Sequence, residues 1–208
     1  GIMALFSALH TKVALYAMFR IVSVTFSDGL PFMAVLAVLV VVTILVGAFS
    51  TAASSRARTA MGHQMVAGVG HILLGLVLFS QVSLAAGILY LVHHVVTMSA
   101  LLLTTGAIEH TYGSGRLEHL SGLARRDPWV MAVMALGLFS LVGLPPTSGL
   151  WGKVGLLRAS AERLVAEQPI LGWAAILAVI VASVGSLLGL QRVWRKMAWG
   201  EDLRTYRP

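Results

Sequence analysis

The sequence predicts an all-α integral membrane protein with about six transmembrane helices, one of them broken. Three observations carry this. First, 58% of the 208 residues are hydrophobic and only 11% are charged, with a mean hydropathy of +0.87; a soluble domain carries about 25% charged residues. Second, the chain divides into six apolar runs near the span length of about 20 residues, at roughly 2–22, 31–53, 60–80, 85–108, 128–163 and 169–197. Third, the fifth run is interrupted by Gly143-Leu144-Pro145-Pro146-Thr147-Ser148-Gly149-Leu150-Trp151-Gly152-Lys153. Oil tolerates such a segment only where the freed backbone is covered by protein or lines a wet cavity.

The punctuation between runs supports each element in turn. Gly1-Ile2-Met3-Ala4-Leu5-Phe6 opens inside an apolar run, without the basic start and small-residue cleavage site of a signal peptide. The expectation is that residue 1 lies partway through a longer polypeptide. Ser27-Asp28-Gly29 and Pro31 separate the first two spans, and Ser54-Ser55-Arg56-Ala57-Arg58 the next pair. Gln81-Val82-Ser83 reads as a very short turn, which makes spans three and four an antiparallel hairpin. The longest polar connection runs from His110 to Asp127. Pro128 suits a first helical turn with Asp127 as its cap, and Pro169 opens the last span in the same way. The tail, 201–208, reads as a solvated end.

Charge placement sets an orientation. Alternate loops carry Arg56, Arg58, Arg116, Arg125, Arg126, Arg192, Arg195, Lys196, Arg204 and Arg207. The opposite side has only Arg20, Arg158 and Arg163. The positive-inside rule places the first side, and both chain ends, in the cytoplasm. It also explains the net charge of +7 as membrane topology, so nucleic acid is not expected as a partner. With no cysteine, disulfides and thiolate metal sites are excluded.

The remaining two basic residues lie inside spans. Lys12 is at the middle of the first, about 15 Å from either interface at 1.5 Å per residue. A charge there costs about 2.5–3.5 kcal/mol on insertion scales, and all eight Asp and Glu fall in loops or near span ends. Lys153 sits just past the break, where apolar residues resume. Intramembrane ionisable groups mark ion paths more often than packing, so both lysines are candidate proton carriers. His93 and His94 lie mid-span; neighbouring helix residues are about 100° apart, so both rings cannot face one ligand. His63 and His71 share one face of span three. Imidazole titrates near physiological pH and suits a proton relay. Haem or metal ligation is the rival for these histidines, and it lacks a supporting carboxylate, cysteine or i,i+4 histidine pair. No cofactor, metal or catalytic residue is expected. Gly68, Gly70 and Gly75 in span three, with Gly185 and Gly189 in span six, predict close helix packing. The five tryptophans read as interfacial anchors.

Three motifs carry a family resemblance. Leu9-His10-Thr11-Lys12-Val13-Ala14-Leu15-Tyr16-Ala17-Met18-Phe19-Arg20, Tyr90-Leu91-Val92-His93-His94-Val95-Val96 and Leu141 to Lys153 together resemble the antiporter-like, proton-translocating membrane subunits. That family is shared by multisubunit sodium/proton (Mrp-type) antiporters, respiratory complex I and membrane-bound hydrogenases, and the chain most resembles its D-type Mrp branch. The resemblance implies a fourteen-helix fold with two inverted five-helix repeats. The six spans would be its helices eight to thirteen, with the second repeat at about 31–197 and a single transmembrane domain over 1–208. The family's paired glutamate and lysine on helices five and seven would precede residue 1.

The resemblance also implies a function: proton translocation within a hetero-oligomeric sodium/proton antiporter of a bacterial inner (plasma) membrane. Lys12, His93, His94 and Lys153, with water, would form a buried path, and Pro145, Pro146 and Gly149 would make the broken helix. Partners would be other membrane proteins of the same complex, protons and Na+, and the lipid bilayer. One departure stands out. The family often has a lysine four residues after the second histidine, and here that position is Met98. Either the histidines and water bridge the gap or the path is altered; His71 would compensate if it points inward. The rival readings are a redox-driven arm of complex I or a hydrogenase, a passive membrane scaffold, and a haem protein.

Overall fold

The computed structural model describes residues 2–26, 32–165 and 168–199, and it is built of helices. The Ser27-Asp28-Gly29 turn, Pro31, Gly1 and the tail 201–208 lie outside the described residues. The elements are α1 (Ile2–Thr25), α2 (Met33–Ala53), α3 (Ala57–Val77), α4 (Gln81–Tyr112), a short α5 (Leu123–Arg126), α6 (Pro128–Val142), α7 (Ser148–Val165) and α8 (Pro169–Ala198). Among the described residues, α2, α3, α4 and α8 are each long and apolar enough to cross a membrane. α6 is a shorter apolar helix, and with α7 it makes up the interrupted fifth span. α1 has 24 residues and holds Lys12 and Arg20.

The outward faces confirm the class. α2 buries Ala37, Val40, Ile44, Ala48 and Thr51 at helical spacing and exposes Val35, Val38, Leu39, Val42 and Val46. α8 likewise exposes Leu177, Ile180, Val181, Val184 and Leu188. Apolar surface this extensive is a membrane- or partner-facing surface.

α4 is the central helix, packed against α1, α3, α6 and α7, while α2, α3 and α8 form a second group beside it. Small residues allow the closest approaches, in keeping with the glycine pattern of the sequence. A Cβ on Gly75 would stand 2.7 Å from the Gly87 Cα of α4, and one on Gly189 3.0 Å from the Ala52 nitrogen of α2.

Two local expectations need correction. The hairpin turn is not Gln81-Val82-Ser83: α4 already begins at Gln81. Ser80 caps it, accepting from the Ser83 N–H at 3.1 Å, while the Ser83 hydroxyl receives the Ser80 N–H at 2.7 Å. This reciprocal capping box pulls the helix start back by a turn. At the other end α4 runs on to Tyr112 and stops at Gly113, whose φ of 66° is the left-handed conformation that ends helices. Asp127 does precede Pro128 at the N1 position, but its side chain makes no cap bond; it accepts from the Tyr112 hydroxyl.

Arginines tie the ends of helices together. Arg163 of α7 donates to the Leu78 and Phe79 carbonyls after α3. Arg192 of α8 donates to the Ala52 and Ser54 carbonyls at the end of α2. These carbonyls lie in the last turn or just past the helix ends, where no intrahelical N–H reaches them.

Candidate functional site

α6 stops because Gly143 takes φ +85°, where a β-carbon would be strained. The Gly143 and Leu144 N–H groups both return to the Phe139 carbonyl, at 3.0 and 3.1 Å. Pro145 and Pro146, joined by a cis peptide bond, fall between the half-helices, and Gly149 is the second residue of α7. The break thus brings a helix C-terminus and a helix N-terminus together inside the bundle.

Lys153 uses the first of these. Its Nζ donates to the Val142 carbonyl at 2.7 Å and to the Ser183 hydroxyl of α8 at 2.9 Å. The carbonyl is one that α6 cannot satisfy itself, and a cation is favoured at a helix C-terminus. A Cβ on Gly143 would press within 3.1 Å of the lysine's Cδ, so this glycine is needed for space as well as for conformation.

His93 uses the second. Its Nδ1 pairs with the hydroxyl of Ser148, the first residue of α7, at 2.9 Å. Thr97 and Ser140 lie at 3.3 and 3.5 Å from the same nitrogen. His94, on the neighbouring face, is fully buried and seats its imidazole where a Cβ on Gly68 would be, so only glycine fits there. The two rings meet different neighbours, His93 the start of α7 and His94 the Gly68 position of α3.

Tyr90 joins them. Its ring lies 5.1 Å from that of His71, stacked at 17°; 5.4 Å from His93, edge-on; and 6.1 Å from His94. His71 does point inward. Its Nδ1 donates to the Ala67 carbonyl at 2.8 Å, so a neutral ring carries its lone pair on Nε2. Tyr90 does not stand out in the sequence as a site residue. The signal is there all the same: it lies one helical turn before His93 and His94, hence on their side of α4. The roles of Ser148 and Ser183, and the seating of His94 on Gly68, also emerge only from the structure. His63 stays apart, half-buried, with its Nδ1 3.0 Å from the Ser54 hydroxyl.

Lys12 is 3% exposed, on the face of α1 that also buries Leu15 and Phe19. Leu15 and Phe19 pack with Ile72 of α3 and Tyr90 of α4, which sets Lys12 at the seam of α3 and α4 where His94 meets Gly68, while His93 and Lys153 both bond to groups at the break. The order across the bundle is therefore Lys12, His94, the Tyr90 ring with His71 and His93, then Lys153. Met98 is not in this row; it is fully buried in an apolar cluster with Leu101, Met134 and Val193.

One feature singles the row out. Among the described residues, the buried side-chain nitrogens without a hydrogen-bond partner are Lys12 Nζ, His71 Nε2, His93 Nε2 and both nitrogens of His94. All belong to this row. Leaving such a group unpaired costs about 1–3 kcal/mol, and more when it is charged. A bundle selected only for packing would replace them with apolar side chains.

Residues 2–181 match the family model described as NADH:quinone oxidoreductase/Mrp antiporter, TM. The D-type Na(+)/H(+) antiporter protein of Alkalihalophilus pseudofirmus is 28% identical over 99% of this chain and 40% of its own length. The solved Mrp complex of a Dietzia species contains a chain that superposes with a TM-score of 0.84 at 38% identity, over 94% of this chain and 35% of that one. Respiratory complex I from Thermus thermophilus has a chain that superposes at 0.82 and 24% identity, over 95% of this chain and 40% of that one, a likeness of fold alone. The chain thus spans about two fifths of the length of the curated relatives it matches.

Proposed function

Since the chain belongs to the NADH:quinone oxidoreductase/Mrp antiporter transmembrane family, we propose that it is part of a proton-translocating subunit of a multisubunit sodium/proton antiporter. The observation that carries this reading is the row of buried, unpartnered nitrogens leading to a lysine held by a broken helix. Lys12 is the mid-membrane carrier. His94, His93 and His71, arranged around Tyr90 and bridged by water, relay the proton, and His71 supplies the inward imidazole that Met98 does not. Lys153 is the exit gate. Two ammonium groups in one low-dielectric row repel, so a proton loaded at one position urges the other onward. The membrane potential supplies about 2.3 kcal/mol per charge per 100 mV.

Sodium as the exchanged ion rests on the names of the relatives. The partners are the other membrane proteins of such a complex, and the host membrane is a bacterial plasma membrane. In this reading 1–208 is one transmembrane domain from the C-terminal part of the subunit, with α2 to α8 as the second inverted repeat. The Arg-rich ends face the cytoplasm; a reporter fused after Pro208 tests this, and a periplasmic reporter signal refutes it.

The test is antiport in vesicles carrying the whole complex with Lys12→Ala or Lys153→Ala. Each change is expected to abolish exchange while the complex still assembles. Near-normal antiport in both sinks the mechanism. The shared fold of complex I favours one second reading, a redox-driven membrane arm. Co-purification with quinone-reducing proteins in place of cation exchange selects it.

A further inference from the structure

A second set of buried polar groups lies off the row, between α2, α3 and α8. Gln64, at 3% exposure, donates its side-chain amide to the Thr51 hydroxyl at 2.9 Å and the Ser186 hydroxyl at 3.2 Å. Thr51 and Ser186 are equally buried, and Thr51 passes its own proton to the Gly47 carbonyl at 3.1 Å. One helical turn from Ser186, on the same face of α8, stands Ser183, the hydroxyl that receives Lys153. Three residues after Thr51, at the C-cap of α2, stands Ser54, paired with the half-buried His63. Arg192 holds the Ser54 carbonyl at the surface that bears Arg56 and Arg58.

These residues form a stepped series from Lys153 to that surface, by way of Ser183, Ser186, Gln64, Thr51 and Ser54. Of its two open steps, Ser183 to Ser186 is an i,i+3 pair on α8, with Cβ atoms about 5–6 Å apart, and Thr51 to Ser54 spans the last turn and cap of α2; one water can bridge such a gap. The bland alternative is interhelical glue, worth about 0.6 kcal/mol per bond in membranes. Glue explains any one of the contacts. It does not explain why the series starts at the gate lysine and ends at the surface. Nor does it explain why its middle member closes both hydroxyls at once. An amide N–H₂ donates without giving up its proton, so Gln64 interrupts a hydroxyl series that water would otherwise continue.

We infer that Thr51, Gln64, Ser183 and Ser186 line a lateral access route between Lys153 and the Arg56/Arg58 surface, with Gln64 as the positioning residue that keeps it shut. The route rests on Lys153 being a proton site. It gives that site a second side of access, and Gln64 prevents the two sides from short-circuiting.

The chain has no cysteine of its own, so thiol labelling can test this in the assembled complex. Ser186→Cys reports from the route, and Ala182→Cys, fully buried in the apolar cluster of α2, α3, α7 and α8, reports from dry core. A small water-soluble methanethiosulfonate is added on the Arg-bearing side. With Gln64 present, both cysteines react slowly. With Gln64→Ala, Ser186→Cys is expected to react several-fold faster while Ala182→Cys does not change, and vesicles should leak protons without added cation. Gln64→Leu, which fills the space, should stay shut. If Gln64→Ala disturbs assembly, Gln64→Asn, one methylene shorter, is expected to show the same pattern more weakly. Equal labelling at both cysteines in every assembled variant, or no proton leak, overturns the inference. Labelling needs no antiport. Survival of exchange in Lys12→Ala and Lys153→Ala would sink the axis and is distinguishable from the labelling outcome, which reads the route alone.

Discussion

The two buried lysines occupy contrasting surroundings. Lys12 stands in the middle of an unbroken helix, and its Nζ has no hydrogen-bond partner among the described residues. Lys153 stands one turn into a half-helix and has two, a backbone carbonyl and a serine. An intact helix uses up its own carbonyls and offers a lysine nothing. A broken one leaves last-turn carbonyls free, and Gly143 turns them toward the interior. The break is therefore a device for stabilising a cation deep in an apolar bundle. Lys12 has no such acceptors and no bonds to break before it exchanges a proton with water or a neighbouring ring, which suits a carrier. Lys153, held by its two acceptors, suits a gate.

This contrast can be broken at several points. The largest effect is on transport, where loss of either lysine is expected to stop antiport equally. The next effect separates them. Lys12→Met removes a buried nitrogen that has no partner, so the complex should be as stable as the parent or more so in a thermal unfolding assay. Lys153→Met abandons the Val142 carbonyl and should destabilise by about 1–3 kcal/mol. Equal destabilisation by both would erase the distinction. Gly68→Ala sharpens it from the Lys12 side. Its methyl displaces the His94 imidazole at a cost of about 1–3 kcal/mol, so antiport should fall in assembled complexes. Normal exchange would mean that His94 is not on the path. Ser148→Ala is the mildest change. It removes one partner of His93 and leaves Thr97 and Ser140. A cost of about 1 kcal/mol predicts a rate loss of about fivefold, measured as initial antiport velocity.

Much of this is legible in the sequence because membranes punish exceptions. Lysines at positions 12 and 153, paired histidines at 93 and 94, and a Pro–Pro break stand out against apolar runs without any structure. The lengths of α2, α3 and α8 follow from hydropathy and the glycine pattern. Less visible are features that depend on what lies across a helix interface. Tyr90 reads as an ordinary core aromatic until His71 arrives from α3. Ser183 gains meaning only when Lys153 reaches it from α7, 30 residues away in sequence. The start of α4 is hidden because Ser80 and Ser83 look like turn residues, and their reciprocal bonds are a geometric fact. Asp127 has the residue type and place of a cap, yet its carboxylate is claimed by Tyr112.

The central claim is that the row carries protons, and Lys12→Arg tests it most directly. Arginine keeps the positive charge and much of the volume but does not release its proton in a protein. In vesicles bearing the assembled complex, the row as described predicts that antiport falls to the level of Lys12→Ala. Antiport near the parental rate would show that only a charge is needed at position 12, and would contradict proton passage through it.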